Sequence, residues 1–349
     1  MRTVDADAHV LETPYTWKFM DESESRFRPM IVAQTFGDEV LGNVGNVQKE
    51  FWVIDNRLLP KDKNVGAELP EDAREMRDIE ARLEHMDELE VDVQVLYPTL
   101  FLRPCTANLR IEHALCGSYN RWLGEIWKKG QGRLRWVAMP PLMSMDKVRD
   151  EMRFARDNGA CGIFMRGLEC ERRLTDPYFH PLYEVASELD LAICLHAGNN
   201  SFAVHDFFMD EAGFSKFKLP VVGAFHSLIV EGLPALFPKL RWGFVEVSAQ
   251  WVPYVLNDLA LRFKRKGKPF PKNPLAEHRM YVACQVTDDL PYIVEHAGED
   301  NLVIGTDYGH HDTSTQIEAL RMLQQDGKVE AKVIDKILGE NARALYALD

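Results

Sequence analysis

Near its start the chain reads Val4-Asp5-Ala6-Asp7-Ala8-His9-Val10-Leu11-Glu12, an apolar run interrupted by acids and one histidine. Because a strand alternates its faces, Asp5, Asp7 and His9 are predicted to point the same way. A carboxylate and an imidazole two residues apart at the C-terminal end of a strand can both reach one metal ion. The alternative is a solvated edge strand with a capping aspartate. This stretch alone does not decide between the two.

Short apolar runs recur along the chain and predict parallel strands covered on both faces. The eight predicted strands are Thr3–His9, Val91–Tyr97, Leu134–Met139, Gly162–Arg166, Ala192–His196, Trp242–Val247, Tyr281–Cys284 and Leu302–Thr306. The helical patterns between them are Ala73–Leu89, Ile111–Lys128, Asp146–Asp157, Pro181–Glu188, Val221–Leu236 and Leu290–Ala297. This alternation predicts an α/β fold, a (β/α)8 TIM barrel. A doubly wound sheet is the alternative. It typically has a glycine-rich phosphate-binding loop after the first strand, and Val10-Leu11-Glu12-Thr13 contains no glycine.

A long segment separates the first two predicted strands. We expect residues 1–349 to form one barrel domain, with residues 14–72 as an insertion over the barrel mouth that has short strands and helices of its own. The segment is rich in aromatic residues, proline and charge, as Trp17, Phe36 and Trp52 illustrate. A structured insertion at this end shapes a substrate pocket. Simple plugging of the barrel end is the alternative.

Composition limits the classes of partner. The formal net charge of −13 argues against nucleic acid, whose phosphates would be repelled. The six cysteines form no CxxC pair, which fits a reducing cytoplasm better than a disulfide framework. Met1-Arg2-Thr3 leads straight into a strand, and the apolar runs are too short to span a bilayer. We therefore expect a cytoplasmic protein with no membrane partner.

Polar residues end several of the predicted strands, and a barrel would bring them to one rim. In this fold, catalytic residues sit at the C-terminal ends of the strands. The first, fifth and eighth strands supply a set of two histidines and two carboxylates: Asp7, His9, His196 and Asp307. Such a set suits a divalent ion such as Zn²⁺, Mn²⁺ or Fe²⁺. The sequence therefore predicts a metal site, with one ion or two.

Further motifs stand in a fixed order along the chain. They are Arg82-Leu83-Glu84-His85-Met86-Asp87, Val91-Asp92-Val93-Gln94-Val95-Leu96-Tyr97-Pro98-Thr99, Tyr119-Asn120-Arg121-Trp122-Leu123, Asp176-Pro177-Tyr178-Phe179-His180-Pro181-Leu182-Tyr183, Leu195-His196-Ala197-Gly198, Phe237-Pro238-Lys239-Leu240 and Gly305-Thr306-Asp307-Tyr308-Gly309-His310. With the opening Asp-Ala-Asp-x-His, they resemble the amidohydrolase superfamily. The resemblance is to the branch that includes aminocarboxymuconate-semialdehyde decarboxylase and γ-resorcylate decarboxylase.

The resemblance carries the superfamily's metal ligands onto the same four residues and implies a homodimer. The branch often carries a catalytic histidine at the end of the sixth strand, where this chain has Glu246-Val247-Ser248. That departure favours a metal-dependent hydrolase of an ester, thioester, amide or activated C–C bond in a carboxylate or aromatic metabolite. A non-oxidative decarboxylase is the second hypothesis, and a non-catalytic metal-binding scaffold is the third.

The candidate catalytic residues are Asp307, Glu246, Arg166 and His226. Asp307 is expected to bind the metal, preferably zinc, and to take a proton from water. Glu246 is an extra ligand or a general base, or else a salt-bridge partner. Arg166 clamps a substrate carboxylate, or instead pairs with Glu169 or Glu246. His226 approaches the site or is a packed helix residue, and His310 or His311 orients a ligand or faces solvent.

Overall fold

The computed structural model describes residues 3–36, 47–61, 65–66, 69–209 and 211–349. Eight parallel strands form one continuous sheet in chain order, which confirms the predicted (β/α)8 barrel. The barrel strands, first to eighth, are Val4–Val10, Val93–Pro98, Leu134–Ala138, Ala160–Arg166, Ala192–His196, Trp242–Val245, Met280–Cys284 and Leu302–Ile304. Nearly all of their residues are buried, as the continuous apolar runs predict.

The barrel closes between its first strand and the segment that follows its eighth. The backbone N–H of His9 donates to Tyr308 O at 2.7 Å, and that of Asp307 donates to Asp7 O at 2.9 Å. A Cβ atom on Gly305 would lie 2.3 Å from the Cβ of Asp7, so only glycine permits this approach. The closure therefore brings Asp7 and Asp307 next to each other.

Helices surround the barrel. The α-helices are Glu71–Arg74, Ile79–Glu88, Leu109–Lys129, Val148–Asp157, His180–Leu189, Phe202–Phe207, Leu219–Val230, Leu233–Leu236, Val252–Arg265, Pro274–Glu277, Leu290–Ala297, Ala319–Gln325, Ala331–Asp335 and Asn341–Tyr346. The 3₁₀-helices are Thr16–Phe19, Glu22–Phe27, Leu100–Leu102, Met145–Lys147 and Pro177–Phe179, and the π-helices are Phe214–Lys218 and Lys336–Glu340. Within the described ranges, no helix is long and apolar enough to cross a membrane.

Two of the predicted helices are each divided in two. The predicted helix 73–89 breaks at Met76, where φ is +55°, and the predicted helix 221–236 breaks at Gly232, where φ is +76°. A left-handed residue cannot continue a right-handed helix. The apolar spacing on either side of each break still matches one helix, which is why the sequence pattern alone did not reveal it.

The C-terminal helix Asn341–Tyr346 closes the barrel interior from one side. The hydroxyl of Tyr346 donates to Ala6 O at 2.8 Å and lies 2.7 Å from the hydroxyl of Tyr97, all of them buried. Leu345 O accepts from Arg241 Nε at 2.7 Å, just before the sixth barrel strand. These contacts join the C-terminal helix to the first two barrel strands and to the residue that precedes the sixth.

The segment between the first two barrel strands has its own small sheet. Strands Met30–Phe36, Val47–Ile54 and Arg57–Pro60 pair antiparallel. The segment contacts the loop after the eighth barrel strand, where Gly66 N–H donates to Gly309 O at 2.9 Å. Residues 37–46, 62–64 and 67–68 of the predicted insertion lie outside the described residues. How far the insertion covers the barrel mouth stays a prediction.

Candidate metal centre

Five side chains from four strands meet at the C-terminal end of the barrel. Asp7 and His9 lie on the first strand, His196 ends the fifth, and Glu246 and Asp307 follow the sixth and eighth. All five are buried. The sequence singled out each of them, and the structure brings them together. Their assignment as ligands or catalytic groups stays a prediction.

The donor atoms of this cluster converge on one point. His9 Nε2 lies 3.1 Å from His196 Nε2 and 3.4 Å from Asp307 Oδ1. His196 Nε2 lies 3.3 Å from Asp7 Oδ1 and 3.1 Å from Glu246 Oε2. These separations match the edges of a ligand polyhedron around a cation whose bonds are about 2.0–2.2 Å long.

The two histidines are oriented by their other ring nitrogens. His9 Nδ1 lies 2.9 Å from Pro98 O, and His196 Nδ1 lies 3.0 Å from Ala197 O. A carbonyl oxygen only accepts, so each Nδ1 carries a proton, and in the neutral form of each ring Nε2 presents a lone pair. Two lone pairs at 3.1 Å repel each other unless a cation lies between them. Carbonyl-oriented imidazoles of this kind are typical of metal ligands.

The charges of the cluster also call for a cation. Burial, followed by the positive charge of His310, lowers the pKa of His9 to about 4, which keeps the ring neutral. Burial raises the pKa of Asp7, but the contacts with His196 and His9 together outweigh it and the net shift is downward. Burial, followed by Asp307, raises the pKa of Glu246 well above its usual value. Glu246 Oε2 is buried with no hydrogen-bond partner among the described residues. The donor set therefore fits a divalent metal ion.

His310 is the functional candidate that the sequence left undecided. It is buried, with Nδ1 2.8 Å from Asp307 Oδ1 and Nε2 3.0 Å from Thr99 Oγ1. The Thr99 hydroxyl donates to Val10 O, so its oxygen accepts from His310 Nε2–H. Thr315 Oγ1 donates to Asp307 Oδ2 at 2.7 Å. Both oxygens of Asp307 are thus held, whereas His311 is exposed.

Asp5 does not join the cluster, so the predicted common face of Asp5, Asp7 and His9 is wrong for this residue. The pairing of the first two barrel strands shifts register between Asp5 and Ala8, which breaks the alternation. The Asp5 carboxylate accepts from Gln94 Nε2 at 3.0 Å and from Thr306 Oγ1 at 2.6 Å. Burial raises its pKa to about 6. Asp5 joins neighbouring strands instead of facing the histidines.

Arg166 lies at the end of the fourth barrel strand, where most of its donors are already used. Its Nε and Nη2 donate to the two oxygens of Glu169 at 2.8 and 2.7 Å, and its Nη1 donates to Phe101 O at 2.6 Å. Both side chains are buried. The pairing with Glu169 is thus the alternative that the sequence left open. A substrate-clamping role for Arg166 stays a prediction.

We expect Glu169→Gln to destabilise the protein strongly, because it leaves the Arg166 guanidinium buried without its counter-charge. The free energy of unfolding should fall by about 3 kcal/mol or more in urea titrations. The control is Glu188→Gln, which removes the partner of Arg149 in an exposed ion pair and should change stability little. Equal effects of the two substitutions would contradict this description of the buried pair.

His226 is not part of the cluster. It lies on the helix Leu219–Val230, and its Nε2 is 3.0 Å from Asp258 Oδ2 on the helix Val252–Arg265. This half-buried contact joins two of the outer helices. The structure therefore matches the packed helix residue that the sequence offered as the alternative to a catalytic role.

Comparison with known proteins gives one family. The model of a family described as amidohydrolase matches residues 4–348. No curated protein matches the chain.

Solved structures share the fold at low sequence identity. An amidohydrolase from Mycobacterium avium subsp. paratuberculosis K-10 is 19% identical, with 99% of each chain covered and a TM-score of 0.76. The 5-carboxyvanillate decarboxylase from Novosphingobium aromaticivorans, complexed with manganese and a nitrobenzoic acid, is 17% identical, covers 99% and 96% of the two chains and has a TM-score of 0.69. The 4-oxalomesaconate hydratase from Rhodopseudomonas palustris is 16% identical, with coverages of 99% and 96% and a TM-score of 0.63.

Proposed function

The chain belongs to the amidohydrolase family, and from this we propose that it is a metal-dependent hydrolase. Its substrate is a carboxylate-bearing or aromatic metabolite, and the bond cleaved is an ester, thioester, amide or activated C–C bond. The observation that carries the proposal is the buried cluster, which has Glu246 among its donors. Fold alone would not carry it, because one barrel supports many reactions.

Asp7, His9, His196 and Asp307 are the proposed ligands, with zinc preferred and manganese or iron as alternatives. A divalent ion bound there would lower the pKa of water and polarise a carbonyl group. His9 and Glu246 belong to both donor groups of the cluster, one with Asp7 and His196 and the other with Asp307 and His310. Of these two, only Glu246 has a second donor oxygen, so it is the residue that could bridge to a second ion.

Asp307 is the proposed proton acceptor. Its Oδ1 faces the cluster at 3.4 Å from His9 Nε2, and its Oδ2 is held by Thr315. The contact of Oδ1 with His310 Nδ1 fixes the carboxylate further. A carboxylate fixed at both oxygens can take a proton from an attacking water without reorienting. His310 and Thr315 position Asp307 and do not act on the substrate themselves.

Glu246 is what favours hydrolysis over decarboxylation. A decarboxylase of this kind holds a substrate carboxylate at the metal, and here three protein carboxylates already meet there: Asp7, Glu246 and Asp307. With a cation bound and Glu246 ionised, a fourth negative group would meet repulsion that a neutral carbonyl does not. Glu246 suits a water-activating base, since its Oε2 lacks a hydrogen-bond partner within the described part of the chain.

Decarboxylation of an aromatic or unsaturated acid is the second candidate, and the likeness to 5-carboxyvanillate decarboxylase favours it. A non-catalytic scaffold is the third, and the presence of all four expected ligand residues speaks against it.

One assay separates the two reactions. Purified protein supplied with Zn²⁺ or Mn²⁺ is incubated with aromatic acids, while released CO₂ is recorded, and in parallel with aryl esters and thioesters, while released acid is recorded. We expect acid release without CO₂. CO₂ from any of the aromatic acids, with no ester or thioester cleaved, would reverse the order of the two candidates.

We further propose that the protein is a cytoplasmic homodimer that binds neither nucleic acid nor membranes. The net charge of −13 supports the first exclusion. Light scattering during size-exclusion chromatography measures the oligomeric state, with a mass of twice 40.0 kDa expected.

A further inference from the structure

A cavity of about 410 Å³ lies beside the barrel mouth, and none of the clustered metal-site residues lines it. This volume is within the range of small-molecule sites. Its walls combine apolar side chains with cations: Leu59, Met209, Phe217, Arg57, Arg103 and Lys216. Among the described residues that line it, the one acid, Asp206, is exposed, and its Oδ1 lies 3.5 Å from Nδ1 of its neighbour His205. The described lining residues therefore carry more positive than negative charge.

Arg103 is the unusual residue of this cavity. Only 9% of the surface of this residue is exposed, and its buried Nε has no hydrogen-bond partner among the described residues. Among the described residues, no ion pair or hydrogen bond involves its guanidinium. Burial lowers its pKa, and the opposing effects of Cys105 and Glu12 are smaller. A buried and unpaired guanidinium is costly unless something binds to it.

The other cations of the cavity have partners, and so does Glu12, the acid in the neighbouring cavity that Arg103 also lines. Arg57 stacks on Phe202, 3.9 Å from the ring centroid. Lys216 Nζ donates to Phe208 O and Met209 O, both at 3.1 Å. Glu12 lines a smaller neighbouring cavity, but its two oxygens accept from the backbone N–H groups of Thr99 and Leu100. Arg103 is thus the cation left for a ligand.

The cavity is joined by hydrogen bonds to a strand that carries a proposed metal ligand. Arg103 follows Leu102, whose O accepts from Asn199 N–H at 3.2 Å. Phe217 O accepts from Gly198 N–H at 3.1 Å. Residues 198 and 199 come directly after the fifth barrel strand, which ends at His196. Both the cavity and the cluster therefore lie at the C-terminal end of the barrel.

We propose that this cavity binds a carboxylate group carried on an apolar body, with Arg103 as the residue that recognises it. A planar carboxylate accepts two parallel N–H bonds from a guanidinium, and Arg103 lines the cavity with a guanidinium that makes no ion pair within the described part of the chain. Leu59, Met209 and Phe217 cover the apolar part of the ligand. That this ligand is the substrate rests on the proposed function, whereas the binding site itself does not.

Benzoate is the probe for this site. Calorimetry with the metal-loaded protein measures the dissociation constants of benzoate, benzamide and inorganic phosphate. Benzamide has the same shape as benzoate without the charge. We expect benzoate to bind best. Arg103→Gln should weaken the binding of benzoate about tenfold or more and leave the binding of benzamide unchanged. Arg103→Lys, which keeps the charge but not the planar fork, should give an intermediate value.

The control is Arg110→Gln, which removes the same charge from an exposed position and should leave benzoate binding unchanged. Thermal unfolding adds a second readout, because removing an unpaired guanidinium should not lower the midpoint. Benzoate binding that is unchanged in Arg103→Gln, or a large drop in its unfolding midpoint, would overturn the proposal. Binding of phosphate in preference to benzoate would overturn the assignment to a carboxylate.

This experiment is independent of turnover. If the protein binds benzoate through Arg103 but cleaves no ester, the binding site is supported and the hydrolase proposal is wrong. If it cleaves esters but its benzoate binding does not depend on Arg103, the hydrolase proposal is supported and the binding site is wrong.

Discussion

Asp307→Asn is expected to abolish turnover while the protein stays folded. The amide cannot take a proton from water, and it is a poorer ligand than the carboxylate. Loss of a general base alone lowers kcat by about 10²–10⁴-fold. Because Asn has nearly the shape of Asp, the hydrogen bonds from Thr315 and His310 can be kept in part. The measurement is kcat for whichever ester or thioester the wild type cleaves, together with circular dichroism.

The matched control is Asp258→Asn. Asp258 pairs with His226 and Arg262 on the outer helices, so the same chemical change there should leave kcat unchanged. If Asp307→Asn kept kcat near the wild-type value, the proposed proton transfer would be wrong.

His196→Ala is expected to lower the metal content of the purified protein. His196 Nε2 lies within 3.3 Å of donor atoms from His9, Asp7 and Glu246, so its removal opens one side of the cluster. Loss of a group that only orients a ligand costs about 10–100-fold in metal affinity. Loss of the ligand itself should cost more. Elemental analysis after dialysis measures the metal bound per chain.

His226→Ala serves as the control for this change, since it removes a histidine that contacts Asp258 outside the cluster. Its metal content should equal that of the wild type. An unchanged stoichiometry in His196→Ala would falsify the predicted site.

The barrel could be predicted from the sequence because each of its strands is covered on both faces. Burial on both faces produces continuous apolar runs, such as Ala192–His196, whose short length favours strands over helices. The five clustered residues could be predicted for a related reason. Parallel strands in a barrel end at one rim, so polar residues at strand ends converge whatever their distance along the chain.

The features that the sequence missed or left undecided depend on local backbone geometry and on tertiary contacts. His310 returns to Asp307 because Asp307 has a φ of +55°, a conformation that aspartate adopts more readily than most residues but that its identity alone does not predict. Asp5 leaves the predicted face because the strand register shifts beside it. Arg103 stands out only through the lack of a partner among the described residues, which no sequence pattern can express.

Anomalous diffraction tests the central claim, that the buried cluster binds a catalytic metal ion, most directly. Crystals grown with Zn²⁺ or Mn²⁺ are measured on either side of the absorption edge of that metal. We predict an anomalous peak bounded by Asp7, His9, His196 and Asp307, with a second peak beside Glu246 if two ions bind. No peak at the cluster in crystals supplied with each metal in turn would contradict the claim.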